Sequence, residues 1–325
     1  MNLKNFINKK NKKKQIFTPG PASLSLENLK SLEPCFGRGD KDYLKTENFV
    51  LNKLKRISGH DNIVRLQGSA SLALEISILN FLNGNVLIIN TGYYSDRLFY
   101  LANTAKKFYK NIKSIKYVPW NEIDLIDKKL NWIVSCYTET STGMKLPIEE
   151  IYKLKKRCNA KLLLDATASI GLETKHYIAD VIAYSSCKGL FGLTGASFIA
   201  YNKDPKNEIE SFYLNLENHK NKSMTGPYHT IQSLFLILKN YDQFKFTVKV
   251  NKDKFLKQFG YLSPFKKKFQ PLLCTYVNKK IETEFQNAIL YLPRLKLPGS
   301  VLCHLGEVHL KKRSKGQILS KLKIL

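Results

Sequence analysis

Between residues 63 and 201 the chain repeats one rhythm: a short run apolar at nearly every position, then a longer stretch with helical period. A strand that is apolar on both sides must be covered on both sides. The rhythm therefore predicts a mostly parallel sheet with helices on each face. The apolar runs are Ile63–Leu66, Val86–Asn90, Ile115–Pro119, Trp132–Cys136, Leu162–Asp165, Val181–Tyr184 and Ser197–Tyr201. Helices are expected over Ser71–Phe81, Asp96–Tyr109 and Ile148–Cys158, and a helical period also precedes them over 45–58, through Phe49, Val50, Leu54 and Ile57.

After about residue 205 the pattern turns helical, over 207–217, 229–240 and 243–259. Short strand-like pieces follow at Leu272–Val277 and Ala288–Leu292, and then an amphipathic stretch, Gly316–Leu325. The expected class is α/β, with a basic flexible arm over 1–16, a large domain over 17–245 and an abbreviated small α/β domain over 246–325. Phe17-Thr-Pro-Gly-Pro21 reads as the rigid turn that starts the ordered fold.

Charge and cysteine usage narrow the function classes. The 53 basic residues against 26 acidic ones leave a net charge of +27, which raises the question of nucleic acid. The basic residues are 46 Lys and only 7 Arg, scattered over every segment. Phosphate and base recognition recruits arginine forks, so a nucleic-acid partner is not expected, while steering of small anionic substrates stays open. Cys35, Cys136, Cys158, Cys187, Cys274 and Cys303 form no CxxC pair and read as reduced thiols of a cytoplasmic protein. Cys303, His304 and His309 offer a metal reading, but no second cluster matches them, so no metal is expected. No apolar run approaches the roughly 18–20 residues of a membrane span, and the lysine-rich start has no apolar signal core.

Open α/β sheets bind ligands at the C-terminal edge of their strands. Here Ala160-Lys-Leu-Leu-Leu-Asp165 delivers a carboxylate to that edge, and Ala179-Asp-Val-Ile-Ala-Tyr-Ser-Ser-Cys-Lys188 delivers an amine. An amine beside a carboxylate suits pyridoxal 5'-phosphate. The amine takes the cofactor's carbaldehyde, and the carboxylate holds its pyridine nitrogen protonated. Gln67-Gly-Ser-Ala-Ser71 follows the first strand and opens a helix, where backbone N–H groups and hydroxyls can hold a phosphate. Tyr94, in Asn90-Thr-Gly-Tyr-Tyr-Ser-Asp-Arg97, can lie on an aromatic ring, and Glu139-Thr-Ser-Thr-Gly143 supplies hydroxyls. Taken singly, each also reads as a helix cap, a packed aromatic or a polar turn.

In order and spacing, these motifs resemble the class V aminotransferases of the fold type I group that binds pyridoxal phosphate. The resemblance runs from Phe17–Pro21 to Thr225-Gly-Pro-Tyr-His-Thr-Ile231, about two-thirds of the chain. The Gln-Gly-Ser opening and Glu-Thr-Ser-Thr-Gly are most similar to the branch of 2-aminoethylphosphonate:pyruvate and alanine:glyoxylate (serine:pyruvate) aminotransferases. Cysteine desulfurases share the fold but carry histidines where this chain has Cys187 and Tyr94. The resemblance implies that Lys188 is the Schiff-base lysine and proton shuttle, and that Asp165 pairs with the pyridinium nitrogen. It implies that Tyr94 stacks on the ring and that Thr140 bonds the ring hydroxyl. Thr167 would lie beside the ring and Cys187 near the phosphate, which Ser69, Ala70 and Ser71 hold. Thr230 would reach the phosphate of a neighbouring subunit, implying a homodimer. The implied reaction moves an amino group from a small amino donor to an oxo acid.

Two positions depart from the family pattern. Ala70 stands where the phosphate loop has a glycine, and a small residue still fits. In Ser300-Val-Leu-Cys-His-Leu-Gly306, Val301 stands where the family's substrate-gripping arginine belongs. A valine cannot hold an anion, which leaves Arg294, Arg38 or a lysine as its substitute. Two alternatives therefore stay open: a pyridoxal phosphate enzyme acting on a non-carboxylate amine, and a non-catalytic basic binding protein on the same scaffold.

Overall fold

A computed structural model describes residues 2–305 and 321–325. Its centre is a seven-stranded sheet of β1 (Asn62–Gln67), β2 (Gly84–Asn90), β3 (Ile112–Pro119), β4 (Trp132–Cys136), β5 (Lys161–Asp165), β6 (Val181–Ser185) and β7 (Ala196–Tyr201). The spatial order is β1-β7-β6-β5-β4-β2-β3. Neighbours from β6 through β3 pair parallel. β7 runs against both of its neighbours. The expected strands and the mostly parallel sheet are present.

Alternate residues of the strands feed two separate cores, which explains why the strands read as continuous apolar runs. Leu87, Ile89, Ile133, Leu162 and Leu164 face one core, shared with the helices Lys41–Ser58, Ile148–Arg157 and Tyr241–Phe259. Val86, Ile88, Val134 and Leu163 face the other, under the helices Ala70–Phe81 and Tyr93–Phe108. The reversed β7 has a consequence for the site. Its first residue, Ala196, pairs with Gln67, the last residue of β1, so the turn entering β7 lies at the edge where the parallel strands end.

The N-terminal residues, expected to be a flexible arm, instead form a helix over Leu3–Lys13 with Ile7 and Asn11 buried. Asn11 Nδ2 donates to the carbonyl of Leu24 at 2.7 Å. Gln15–Phe17 then pairs parallel with Ala288–Leu290, joining the start of the chain to its C-terminal part. Phe17 sits in a third apolar cluster with Phe255, Phe259, Val277 and Leu302. One buried isoleucine among lysines gives too faint a period to read from sequence.

Residues 207–215, expected to be helical, are not; the helix there is Leu216–Lys220. The 229–240 helix is two short ones, Tyr228–Ser233 and Phe235–Lys239. The expected boundary at 245/246 falls inside the helix Tyr241–Phe259. Beyond it, Cys274–Val277 pairs antiparallel with Ser300–Cys303, and Ile281–Thr283 with Leu322–Ile324. Most of the amphipathic stretch expected over 316–325, and His309, lie outside the described residues. No helix among the described residues is long and apolar enough to cross a membrane.

Candidate active site

The ends of β1, β4, β5 and β6 and the entry to β7 surround a cavity of about 510 Å³, a size that suits a cofactor with a small substrate. Asp165 and Lys188 both line it. Asp165 is the last residue of β5 and 5% exposed. Its Oδ1 accepts from the backbone N–H of Thr167 at 2.9 Å. Lys188 stands on the turn after β6, and its Nζ lies 5.0 Å from the centre of the Tyr94 ring.

The loop after β1 forms one wall. Ser69 caps the helix Ala70–Phe81 and makes no side-chain cap bond, which leaves its hydroxyl free beside the helix's first N–H groups. Ser69, Ala70 and Ser71 all line the cavity. Arg97 Nη1 donates to Ser71 Oγ at 2.9 Å, adding a cation to that wall. Gly68 N–H donates to the Gly195 carbonyl at 3.1 Å, tying the loop to the turn entering β7.

The floor carries partnerless hydroxyls. Oγ1 of Thr138, of Thr140 and of Thr167 is buried without a hydrogen-bond partner, and all three residues line the cavity. A buried hydroxyl left unpaired costs about 1–3 kcal/mol, so three together fit a site built for a polar ligand. Cys136, Thr138 and Thr140 are alternate residues running off the end of β4, all facing the cavity. Extending the strand's period of two beyond Cys136 would have found Thr138. Cys187 also lines the cavity, and its carbonyl accepts from Ala22 N–H at 2.7 Å. That bond brings the Phe17–Pro21 turn over the lysine, with Pro21 in the lining.

Tyr94 is held from behind by a residue whose part the sequence reading missed. Glu139 is fully buried, and its Oε2 accepts from the backbone N–H groups of Tyr94 and Ser95 at 3.0 and 3.2 Å. Its Oε1 accepts from Ser141 N–H and Oγ–H. Burial pushes the Glu139 carboxyl above the usual carboxylate range, against the pull of these hydrogen bonds. Burial likewise drives the Cys136 thiol well up, so it stays protonated.

The remaining expected residues lie as follows. Thr230 stands outside the cavity lining, its hydroxyl donating to the Thr194 carbonyl at 3.2 Å. Val301 is 1% exposed in the main core, opposite Tyr276. Arg294 reaches the cavity lining, with Nη1 donating to Tyr93 Oη at 3.4 Å. His304 is buried against Thr275 Oγ1.

The polar groups that line the cavity fit pyridoxal phosphate: an amine, a carboxylate, an aromatic face, free hydroxyls and a helix start with an adjacent arginine. Comparison with known proteins points the same way. Residues 57–232 match the family model described as aminotransferase class-V. A 2-aminoethylphosphonate–pyruvate transaminase of Pseudomonas aeruginosa is 26% identical over 252 residues, covering 70% of this chain and 68% of that protein. Among solved structures, an alanine–glyoxylate aminotransferase from Nostoc sp. superposes with a TM-score of 0.79 at 17% identity, covering 94% of each chain. A PLP-bound phosphoserine aminotransferase from Trichomonas vaginalis superposes with a TM-score of 0.62 at 16% identity, over 79% of this chain and 82% of that one.

Proposed function

We propose that this chain, which belongs to the class V aminotransferase family, is a pyridoxal-phosphate-dependent transaminase acting between a small amino donor and an oxo acid. The donor is of the 2-aminoethylphosphonate, alanine or serine type, and the acceptor resembles pyruvate or glyoxylate. The observation that carries this reading is the meeting of Lys188 and Asp165 in one cavity with three partnerless threonine hydroxyls.

Bound there, pyridoxal phosphate would supply a carbaldehyde to carry the amino group and a ring to draw electrons from the donor's Cα–H bond. The chain's own groups do the rest. Lys188 Nζ would be the amine that holds the carbaldehyde and, when free, the base that holds and moves the donor's Cα proton. Asp165 would accept from the pyridine N–H, and its charge in a poorly solvated place would keep that nitrogen protonated. Ser69, Ala70 and Ser71 hold the phosphate by backbone N–H and hydroxyl, with Arg97 adding charge. Tyr94 would cover one face of the ring, Thr140 would bond the ring hydroxyl, and Thr167 and Cys187 would flank it. Thr230 serves the neighbouring copy in a homodimer, and the reduced cysteines go with a cytoplasmic setting.

The test is Lys188→Ala. After loading with pyridoxal phosphate and dialysis, the wild type should keep a visible absorbance band that the variant lacks. Identical spectra for the two would overturn the reading.

A further inference from the structure

Three side chains bring positive charge to the cavity lining, Lys188, Arg97 and Arg294, against the single carboxylate of Asp165. In the function proposed above, Lys188 and Asp165 are taken by the cofactor, and Arg97 is turned to Ser71 in the phosphate wall. Arg294 is left over. Its one hydrogen bond among the described residues goes to Tyr93 Oη, and it has no carboxylate partner there. A cavity with surplus fixed positive charge draws an anionic ligand.

The geometry around Arg294 is organised rather than incidental. Two guanidiniums lie over the Tyr93 ring, with Cζ of Arg294 at 5.3 Å and Cζ of Arg97 at 5.7 Å from its centre. A hydrogen bond from Arg97 and the charge of Arg294 lower the Tyr93 phenol below its ordinary value. The residue after Tyr93 is Tyr94, whose ring faces Lys188 Nζ. The segment carrying Arg294 is pinned on both sides. Tyr291 packs against the main core upstream, and Lys280 Nζ donates to the carbonyls of Leu297 and Gly299 downstream. Pro293 and Pro298 restrict the backbone between these pins.

We propose that Arg294 selects the substrate: its guanidinium takes the carboxylate or phosphonate of the amino donor, and Tyr93 fixes its orientation. The proposal rests on the transaminase reading. It names the donor class as amines carrying an oxyanion group, which a planar fork of N–H donors binds in two-pronged fashion. Val301, sealed in the core, takes no part.

The experiment is a calorimetric titration of the cofactor-loaded protein with methylphosphonate and, separately, with acetate. The two arms show which oxyanion the site prefers. Arg294→Gln should weaken the preferred anion by about ten- to a hundredfold while the visible absorbance of the cofactor is unchanged. Arg294→Lys, which keeps the charge but loses the fork, should fall between. With an anionic amino donor, KM should rise in Arg294→Gln and kcat should hold. The proposal is overturned if the glutamine variant binds both anions as the wild type does, or if the wild type binds neither. A wild type that retains no cofactor would sink the transaminase reading instead, and the same titrations would still decide the role of Arg294.

Discussion

Glu139 Oε2 lies 3.0 Å from the backbone N of Tyr94, so a buried carboxylate just past the end of β4 holds the first turn of the helix that presents Tyr94 to the cavity. Both oxygens of Glu139 accept hydrogen bonds, from Tyr94 and Ser95 on one side and Ser141 on the other. Gly92 makes room for it, since a Cβ there would come within 3.1 Å of Glu139 Cγ and closer still to Ser141 and Thr142. Glu139→Gln turns one acceptor into a donor aimed at N–H groups, whichever way the amide lies. The expected loss is about 1–3 kcal/mol of stability, with weaker retention of pyridoxal phosphate as Tyr94 is released. Urea unfolding and a cofactor titration check it; unchanged values in both would mean that Glu139 positions nothing.

Asp165→Asn separates charge from shape. The amide oxygen can still accept from Thr167 N–H, as Oδ1 does at 2.9 Å, so the fold and the cavity should survive. What goes is the negative charge that the proposed function sets opposite the pyridine nitrogen. Turnover should fall by about 10²–10³-fold while the protein still takes up cofactor. Full activity in the asparagine variant would remove Asp165 from the chemistry.

Gly20 has φ +149, and a Cβ there would meet Lys188 Cγ at 2.6 Å and the Cys187 carbonyl at 3.1 Å. The Phe17–Pro21 turn therefore sets the position of the lysine from above, and only a residue without a side chain fits. Gly20→Ala should displace the Lys188 stem and cut kcat by about a hundredfold, with a smaller effect on thermal stability because Gly20 lies near the surface of the fold. A kcat within a factor of about two of wild type would show that the stem has slack.

These effects mark where the sequence was readable. The strands and the two polar strand ends were legible because burial on both faces leaves an unbroken apolar signature, and because topology puts the strand ends at one edge. Thr140 and Thr167 came from the family resemblance rather than from any period of the chain, and the structure puts both in the cavity lining. Glu139 was legible only as part of a polar turn, since its job is fixed by backbone N–H groups 44 and 45 residues earlier. Tyr291 was not legible at all. It stands on a segment whose path depends on tertiary packing, and no local period marks it. The N-terminal helix was missed for a related reason: it is held by single buried residues, with Asn11 bonded to the Leu24 carbonyl, and by the Gln15–Phe17 segment after it, which pairs with the distant Ala288–Leu290.

Acid should destabilise the protein through its buried histidines. His176 is 2% exposed, with Nε2 2.9 Å from Ser169 Oγ. Burial first, then the charges of His60 and Lys245, push its imidazole from 6.5 down to about 3. His304, fully enclosed, is also pushed down to about 3 by burial and by Lys252. Between the two values the unfolded chain binds a proton that the folded one refuses. Stability is therefore fully present above 6.5 and falls as the pH drops toward about 3. The slope contributed by each group is at most about 1.4 kcal/mol per pH unit. Urea midpoints at about pH 7 and about pH 5 should show a smaller acid loss in His176→Gln than in the wild type. Parallel profiles would clear His176 of the effect.

Moving an arginine back to position 301 should fail, and the reason bears on how the substrate is held. Val301 pairs with Tyr276 and packs in the main core with Cys274 and Leu273. The Glu139–Gly143 loop closes over Tyr276 so tightly that a Cβ on Gly143 would come 2.8 Å from the tyrosine's own Cβ. Val301 is absent from the cavity lining, which Arg294, earlier in the chain, joins. A guanidinium at 301 would be buried without a counter-charge, at an expected cost of about 3–5 kcal/mol. Val301→Arg should therefore unfold at lower urea. Added to Arg294→Gln, it should restore none of the lost affinity for methylphosphonate or acetate. Recovery of anion binding in that double variant would show instead that position 301 opens to the cavity, and that the valine, rather than the fold around it, is what shifted the anion site to Arg294.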